Sequence, residues 1–305
     1  MTGARYTRAE IASQPDCWAQ AAARADELPA GLPRAGDAAL VIGCGTSLYV
    51  AQAYAGLREA AGQGRTDARP ASEVDRQVLS AGYDTVLAIS RSGTTTEVRS
   101  VLSMAPEGLT ALAITAVSDS PIAQAVPAPV VLDFADERSV VQTRFATSVV
   151  ALLRRSTGAD LGPVIADGRQ ALTGELPPLL DSAGGPAHVV FLARGWAIGL
   201  AAEAALKCRE SAGAHSEAYP AREYRHGPIS IAGPQTLVWA LSPIGFDLVT
   251  DIEATGATVE QGRLDPLAEL VRAQRWAVAA ADRAGLDADL PRHLTRSVVL
   301  AGERP

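Results

Sequence analysis

Thr85-Val-Leu-Ala-Ile89 runs directly into Ser90-Arg91-Ser92-Gly93-Thr94-Thr95-Thr96-Glu97, and this junction decides the fold class. A short apolar run with no polar alternation suits a strand buried on both faces. The Ser/Gly/Thr turn after it opens an amphipathic segment over 95–105. An earlier junction has the same grammar: Ala38-Ala-Leu-Val-Ile42, then Gly43-Cys44-Gly45-Thr46-Ser47, then a helical segment over 46–62. Residues 109–115 and 129–132 add short strands, 139–157 reads as a long helix, and 7–30 as a leading helix interrupted near Pro15. Strands alternating with helices predict a parallel sheet covered on both faces.

The scheme then restarts. A Pro/Gly-rich stretch over 158–186, with Gly162-Pro163, Pro177-Pro178 and Gly184-Gly185-Pro186, separates two halves. His188-Val-Val-Phe-Leu192 is a strand, Ala-Arg194-Gly195 a turn, and 196–212 an Ala-rich helix. A strand over 236–241 and a helix over 265–284 follow. The expected organisation is a duplicated α/β unit, residues 1–160 and 161–305. In open α/β sheets ligands sit at the carboxyl ends of strands, which directs attention to the two kinds of turn.

Composition narrows the function. The chain has 305 residues, 48% of them hydrophobic, and a net charge of -7. With no basic block, neither nucleic acid nor an anionic membrane surface is an expected partner. No apolar run reaches the roughly 18–20 residues of a membrane span, and the first residues lack the apolar core of a secretory signal. Cys17, Cys44 and Cys208 are odd in number and without metal spacing, so reduced thiols in a cytoplasmic protein are expected. No metal is expected.

Two groups of residues carry chemistry. The first is the hydroxyl set Ser90, Ser92, Thr94, Thr95 and Thr96, placed between a strand and a helix. Neutral donors backed by free helix amides suit a phosphate dianion. The P-loop pattern is absent, so nucleotide hydrolysis is disfavoured. Plain helix capping is the alternative, both here and at Gly43–Ser47.

The second group surrounds the only lysine of the chain, Lys207, in Glu203-Ala-Ala-Leu-Lys207-Cys-Arg-Glu210. Glu203, Lys207 and Glu210 share one helical face. Small and apolar neighbours place that helix inside the molecule, where a carboxylate beside an ammonium suits proton transfer. A solvated ion-pair stripe is the alternative. His226, before Gly227-Pro228 in an irregular segment, can point into a cleft or serve structure.

With those residues in view, the chain resembles the tandem sugar isomerase (SIS) family. It is similar to the isomerase half of glutamine–fructose-6-phosphate amidotransferase and to stand-alone aminosugar-phosphate deaminase/isomerases and fructosamine-phosphate deglycases. The resemblance spans nearly the whole chain: Cys44-Gly-Thr-Ser47, Ala71-Ser-Glu73, Ser90-Arg-Ser-Gly-Thr94, Glu137-Arg-Ser-Val-Val-Gln-Thr143, Glu203 to Glu210, Glu217-Ala-Tyr219, Glu223-Tyr-Arg-His226-Gly-Pro228 and Leu290-Pro-Arg-His-Leu-Thr-Arg296. It implies two flavodoxin-like, three-layer α/β/α domains and no metal or organic cofactor.

For the site, the resemblance implies phosphate and sugar contacts from Gly45, Thr46, Ser47, Ser90, Arg91, Ser92, Thr94 and Thr95, with Val140, Gln142 and Arg296 also binding substrate. Glu210 becomes the base that moves a proton between C1 and C2 of an open-chain sugar. Lys207 binds the sugar oxygens or steadies the enediolate. His226 opens the ring, supplied by the partner of a homodimer with sites near the interface.

Two departures shape the expectation. The amidotransferase carries a glutaminase domain that these residues do not supply, and its tail lysine, which forms an imine, is matched here by Arg296. An Arg also stands at 91 where Gln is frequent. The expected activity is therefore isomerisation or deamination of a hexose or amino-hexose 6-phosphate. A deglycase, an amidotransferase-like enzyme without glutaminase, and a non-catalytic sugar-phosphate sensor are the alternatives.

Overall fold

The computed structural model describes residues 3–28, 32–179 and 188–300. In chain order its elements begin with α1 (Arg5–Ala12), α2 (Gln14–Glu27), β1 (Ala39–Gly43), α3 (Thr46–Ala60), β2 (Thr66–Pro70), α4 (Arg76–Leu79), β3 (Thr85–Ile89) and α5 (Thr96–Ser103). They continue with β4 (Thr110–Thr115), α6 (Pro121–Gln124), β5 (Val130–Val131), α7 (Arg144–Ser156) and α8 (Gly162–Thr173). The last group is β6 (His188–Ala193), α9 (Ala197–Ala212), β7 (His215–Pro220), β8 (Thr236–Ala240), α10 (Phe246–Glu253), β9 (Thr258–Gln261) and α11 (Pro266–Arg283).

Backbone contacts divide the chain into two compact units, each discontinuous in sequence. The first holds Asp16–Glu137, Arg144–Leu161 and the tail from Thr295. The second holds residues up to Pro15, Arg138–Thr143 and Gly162–Leu294. A single cut at 160/161 differs from these units at residues 1–15, 138–143, 161 and 295–305.

In the first unit the parallel strands run in the order β2-β1-β3-β4-β5. β1 and β3 are buried along their whole length. On one face Leu40, Ile42, Val86 and Ala88 pack against Val98, Val101 and Leu102 of α5. The order reverses between β1 and β3, which makes the carboxyl ends of those strands the switch point of the sheet.

The second unit repeats the plan. Its parallel order is β7-β6-β8-β9, with β6 and β8 central. Val190, Leu192, Val238 and Ala240 pack against Leu248, Val249 and Ile252 of α10. Both units are doubly wound α/β folds, in accord with the duplication read from sequence.

Several expectations need correction. The helix expected over 139–157 starts only at Arg144. Residues 138–143 are instead held in the second unit, where the Glu10 carboxylate accepts from the Arg138 and Ser139 amides at 2.6 and 3.3 Å and the Val140 amide donates to Asp289. The stretch read as a separator contains α8, with Pro163 in its first turn, where a missing N–H costs nothing. Gly184-Gly185-Pro186 lies outside the described residues. The leading helix is interrupted as expected near Pro15, the break between α1 and α2 falling at Ser13. The strand β7 was not read from sequence, while His226 lies outside helix and strand, after the 3₁₀ turn that follows β7.

Candidate active site

The hydroxyl turn follows β3 at the switch point. The Gly43–Ser47 turn follows β1, the strand paired with it. Gly93 has φ +66°, and a Cβ there would stand 2.0 Å from Ser120 Oγ, so only glycine fits. Gly43 is equally constrained, because a Cβ would meet the Ser47 backbone at 2.6 Å. Thr46 and Ser47 are buried in the first turn of α3.

Helix capping does not account for the hydroxyls. Thr95 is the N-cap of α5 yet makes no side-chain capping bond. Its Oγ1 lies 3.2 Å from Ser90 Oγ, which also accepts the Gly93 amide at 3.2 Å. Ser92 Oγ accepts the Thr94 amide at 3.2 Å. The turn is therefore a cluster of neutral donors and acceptors folded onto itself, at the start of a helix whose first acidic residue is Glu97.

Arg91 is placed differently from its neighbours. It is buried, with Nη1 3.6 Å from Glu137 Oε2 and Nη2 donating to the Arg296 carbonyl at 2.9 Å. Arg296 itself donates to the Glu137 carbonyl and reaches Asp136 Oδ1 at 2.5 Å. A guanidinium tied down in this way acts as a clamp.

In the second unit, α9 carries the acid–base group. Lys207 is fully buried, with Nζ 3.2 Å from Glu203 Oε1 and 2.5 Å from Glu210 Oε2. Glu203 is as buried as Lys207, while the Glu210 side chain retains 18% exposure. Burial opposes the ammonium charge, but the two carboxylates outweigh it and hold the Lys207 pKa above its ordinary value. Glu210 opens onto a cavity of about 490 Å³ lined also by Leu206, Leu290, Arg292 and His293. A carboxylate paired with a buried ammonium from behind and open in front has the arrangement of a general base.

His226 follows a short 3₁₀ turn and is exposed. It does not line that cavity. Val140 and Gln142 lie on the segment held by Glu10, and the buried Oε1 of Gln142 has no hydrogen-bond partner. Buried polar atoms are normally paired, so this acceptor marks Gln142 as a ligand candidate. The described residues contain no group of three or more His, Cys, Asp and Glu placed to hold a metal ion, and no helix long and apolar enough to cross a membrane. Sequence reading passed over Asp136 and Ser297. Both flank motifs that were recognised, and neither bears a signal of its own.

The chain thus holds two doubly wound α/β units, one with a hydroxyl-lined turn at its switch point and one with a Glu–Lys–Glu face on α9 whose Glu203 and Lys207 are buried. The comparisons with known proteins agree. Glutamine–fructose-6-phosphate aminotransferase of Campylobacter jejuni is 27% identical over 87% of this chain and 52% of its own length. The same enzyme of Streptomyces coelicolor is 28% identical over 90% of this chain and 53% of its own. The chain thus spans about half the length of the curated relatives it matches. Among solved structures, glucosamine-6-phosphate deaminase of Thermotoga maritima superposes with a TM-score of 0.78 at 26% identity, covering 96% of this chain and 99% of that one. For tagatose-6-phosphate ketose/aldose isomerase of Escherichia coli the fold matches with a TM-score of 0.76 at 20% identity, over 93% and 95% of the two chains. No protein-family model matches. In sequence and in fold the chain is similar to these sugar-phosphate enzymes.

Proposed function

We propose that this chain is a sugar-phosphate isomerase or aminosugar-phosphate deaminase that works through a cis-enediol or enediolamine. The observation that carries the reading is Glu210, a carboxylate 2.5 Å from a fully buried lysine and open to a cavity on its other side. One carboxylate above a cis-enediol can serve both C1 and C2. It takes the proton from one carbon and returns it to the other, while Lys207 offsets charge that grows on the sugar oxygens.

The phosphate is bound by Ser47, Ser90, Ser92, Thr94 and Thr95, with Gly45 and Thr46 shaping the turn. Gln142 and Val140 contact the sugar. His226 opens the ring, and its exposure fits delivery to a partner copy in a homodimer of a cytoplasmic enzyme. Arg296 cannot form an imine, and its guanidinium is occupied by Asp136 and Glu137. The route is therefore non-covalent, and it draws on no metal or organic cofactor.

The test is turnover of glucosamine 6-phosphate, galactosamine 6-phosphate and fructose 6-phosphate, following ammonia and ketose or aldose. Release of an amino acid from a fructosamine phosphate, with none of these turned over, would move the assignment to a deglycase. Glu210→Gln is expected to lower kcat at least a hundredfold. A loss below tenfold would remove Glu210 from the base role.

A further inference from the structure

The tail after Arg296 meets the hydroxyl turn within the first unit. Ser297 Oγ lies 3.1 Å from Ser92 Oγ and 2.9 Å from Thr94 Oγ1, and those two are 3.1 Å apart. The three hydroxyls close a triangle. The tail is tied down on both sides of it. Before Ser297, Arg91 Nη2 donates to the Arg296 carbonyl, and the Arg296 guanidinium grips the Glu137 carbonyl and Asp136 carboxylate. After Ser297, the Thr96 amide donates to the Val298 carbonyl at 3.4 Å and the Leu300 amide to Thr96 Oγ1 at 3.0 Å.

We propose that Ser297 is a further ligand of the phosphate site, brought by the tail, and that Arg296 and Arg91 are positioning residues that hold it there. The inference rests on reading the hydroxyl turn as the phosphate site and adds a residue to it. A hydroxyl donates or accepts, and it re-aims by rotation about one bond. An arriving dianion therefore needs no backbone movement: the three O–H groups turn from one another toward it, and each becomes a charge-assisted donor. The ties on either side of Ser297 mean the tail is ordered before the ligand arrives, so binding does not bear that entropy.

The same geometry gives Arg296 a task. A guanidinium spans the Glu137 carbonyl and the Asp136 carboxylate together, a fork that a single-point ammonium does not reproduce. Arg91, buried against Glu137, anchors the other side of the clamp.

The experiment is calorimetric titration of the full chain with inorganic phosphate and with fructose 6-phosphate. Ser297→Ala is expected to weaken both by about tenfold, the effect of one hydrogen bond to a charged group, with Ser297→Thr restoring most of it. Arg296→Ala is expected to weaken binding by a similar factor, with little further loss when combined with Ser297→Ala. Amide exchange supplies a readout that a merely structural role would not move. Phosphate slows exchange over 295–300 in the wild type and not in Ser297→Ala.

Unchanged or tighter phosphate binding by Ser297→Ala overturns the proposal; tighter binding would make the tail a competitor for the cradle. Ser90→Ala keeps the two levels separate. If it weakens binding while Ser297→Ala does not, only the tail's role falls. If neither weakens it, the cradle reading falls with it.

Discussion

Replacing Lys207 with Met removes the cation from a site where Glu203 and Lys207 are each about 1% exposed. The methylene stem is kept, so little packing is lost, and the effect is electrostatic. Glu203 then stays in the interior with its charge uncompensated, and breaking a buried pair in this way costs about 3–5 kcal/mol. Against a typical stability of about 5–15 kcal/mol that is a large share, and it corresponds to a drop in Tm of about 6–20 °C.

The double variant Glu203→Met/Lys207→Met removes both charges, while Glu210, with its partial exposure, is free to hydrate. It is expected within about 2 kcal/mol of wild type. Urea denaturation and thermal melting of the three proteins supply the numbers. A Lys207→Met protein within 1 kcal/mol of wild type, or a double variant worse than the single one, would refute the buried-pair reasoning. The sign with pH also follows. Because the folded pKa of Lys207 is raised, its stabilisation is complete below the unfolded value near 10.4 and is lost only as pH climbs through the folded one. Stability between pH 6 and 9 should not change on its account.

Gly93→Ala forces a Cβ to 2.0 Å from Ser120 Oγ at a positive φ, so calorimetry should find phosphate binding abolished together with a lower Tm. Burial pushes the thiol of Cys208 up to about 12, and burial with the nearby Glu97 charge pushes Cys44 up to about 11. Native protein at pH 8 should therefore resist alkylation at both, and urea should release all three thiols. Borohydride added with fructose 6-phosphate should leave no adduct on Lys207, whose proton is held by Glu203 and Glu210; mass spectrometry of the peptide decides it. Mixed dimers of Glu210→Gln and His226→Asn should regain activity that neither parent has, if His226 serves a partner copy.

The central strands were legible because their burial is complete, save for His188 at the start of β6. Nothing but an apolar run fits β1, β3, β6 and β8, and their turns announced themselves with Gly and Ser. Of the edge strands, β5 was read within 129–132, but β2, β7 and β9 were not. Thr66-Asp-Ala-Arg-Pro70 and Thr258-Val-Glu-Gln261 are partly exposed and carry polar side chains, so hydropathy alone gives no signal. His215–Pro220 escaped for the same reason, being half-buried beside β6. The late start of α7 came from a long-range contact, the Glu10 carboxylate on the 138–139 amides, which no local pattern encodes. At the site, the i, i+4, i+7 spacing gave the Glu203–Lys207–Glu210 face, and the alanines around it gave its burial. Ser297 was invisible because a tail serine means nothing until its partners are known.

Deuterium exchange at the sugar carbons addresses the core chemistry without assuming a physiological substrate. Fructose 6-phosphate incubated with the enzyme in D2O and followed by proton NMR should lose signal at C1 as the carboxylate returns a solvent deuteron, and Glu210→Gln should slow that loss at least a hundredfold. Fructose 6-phosphate that binds at the concentrations used yet keeps its C1 protons would contradict the account and leave a sensor in place of an enzyme.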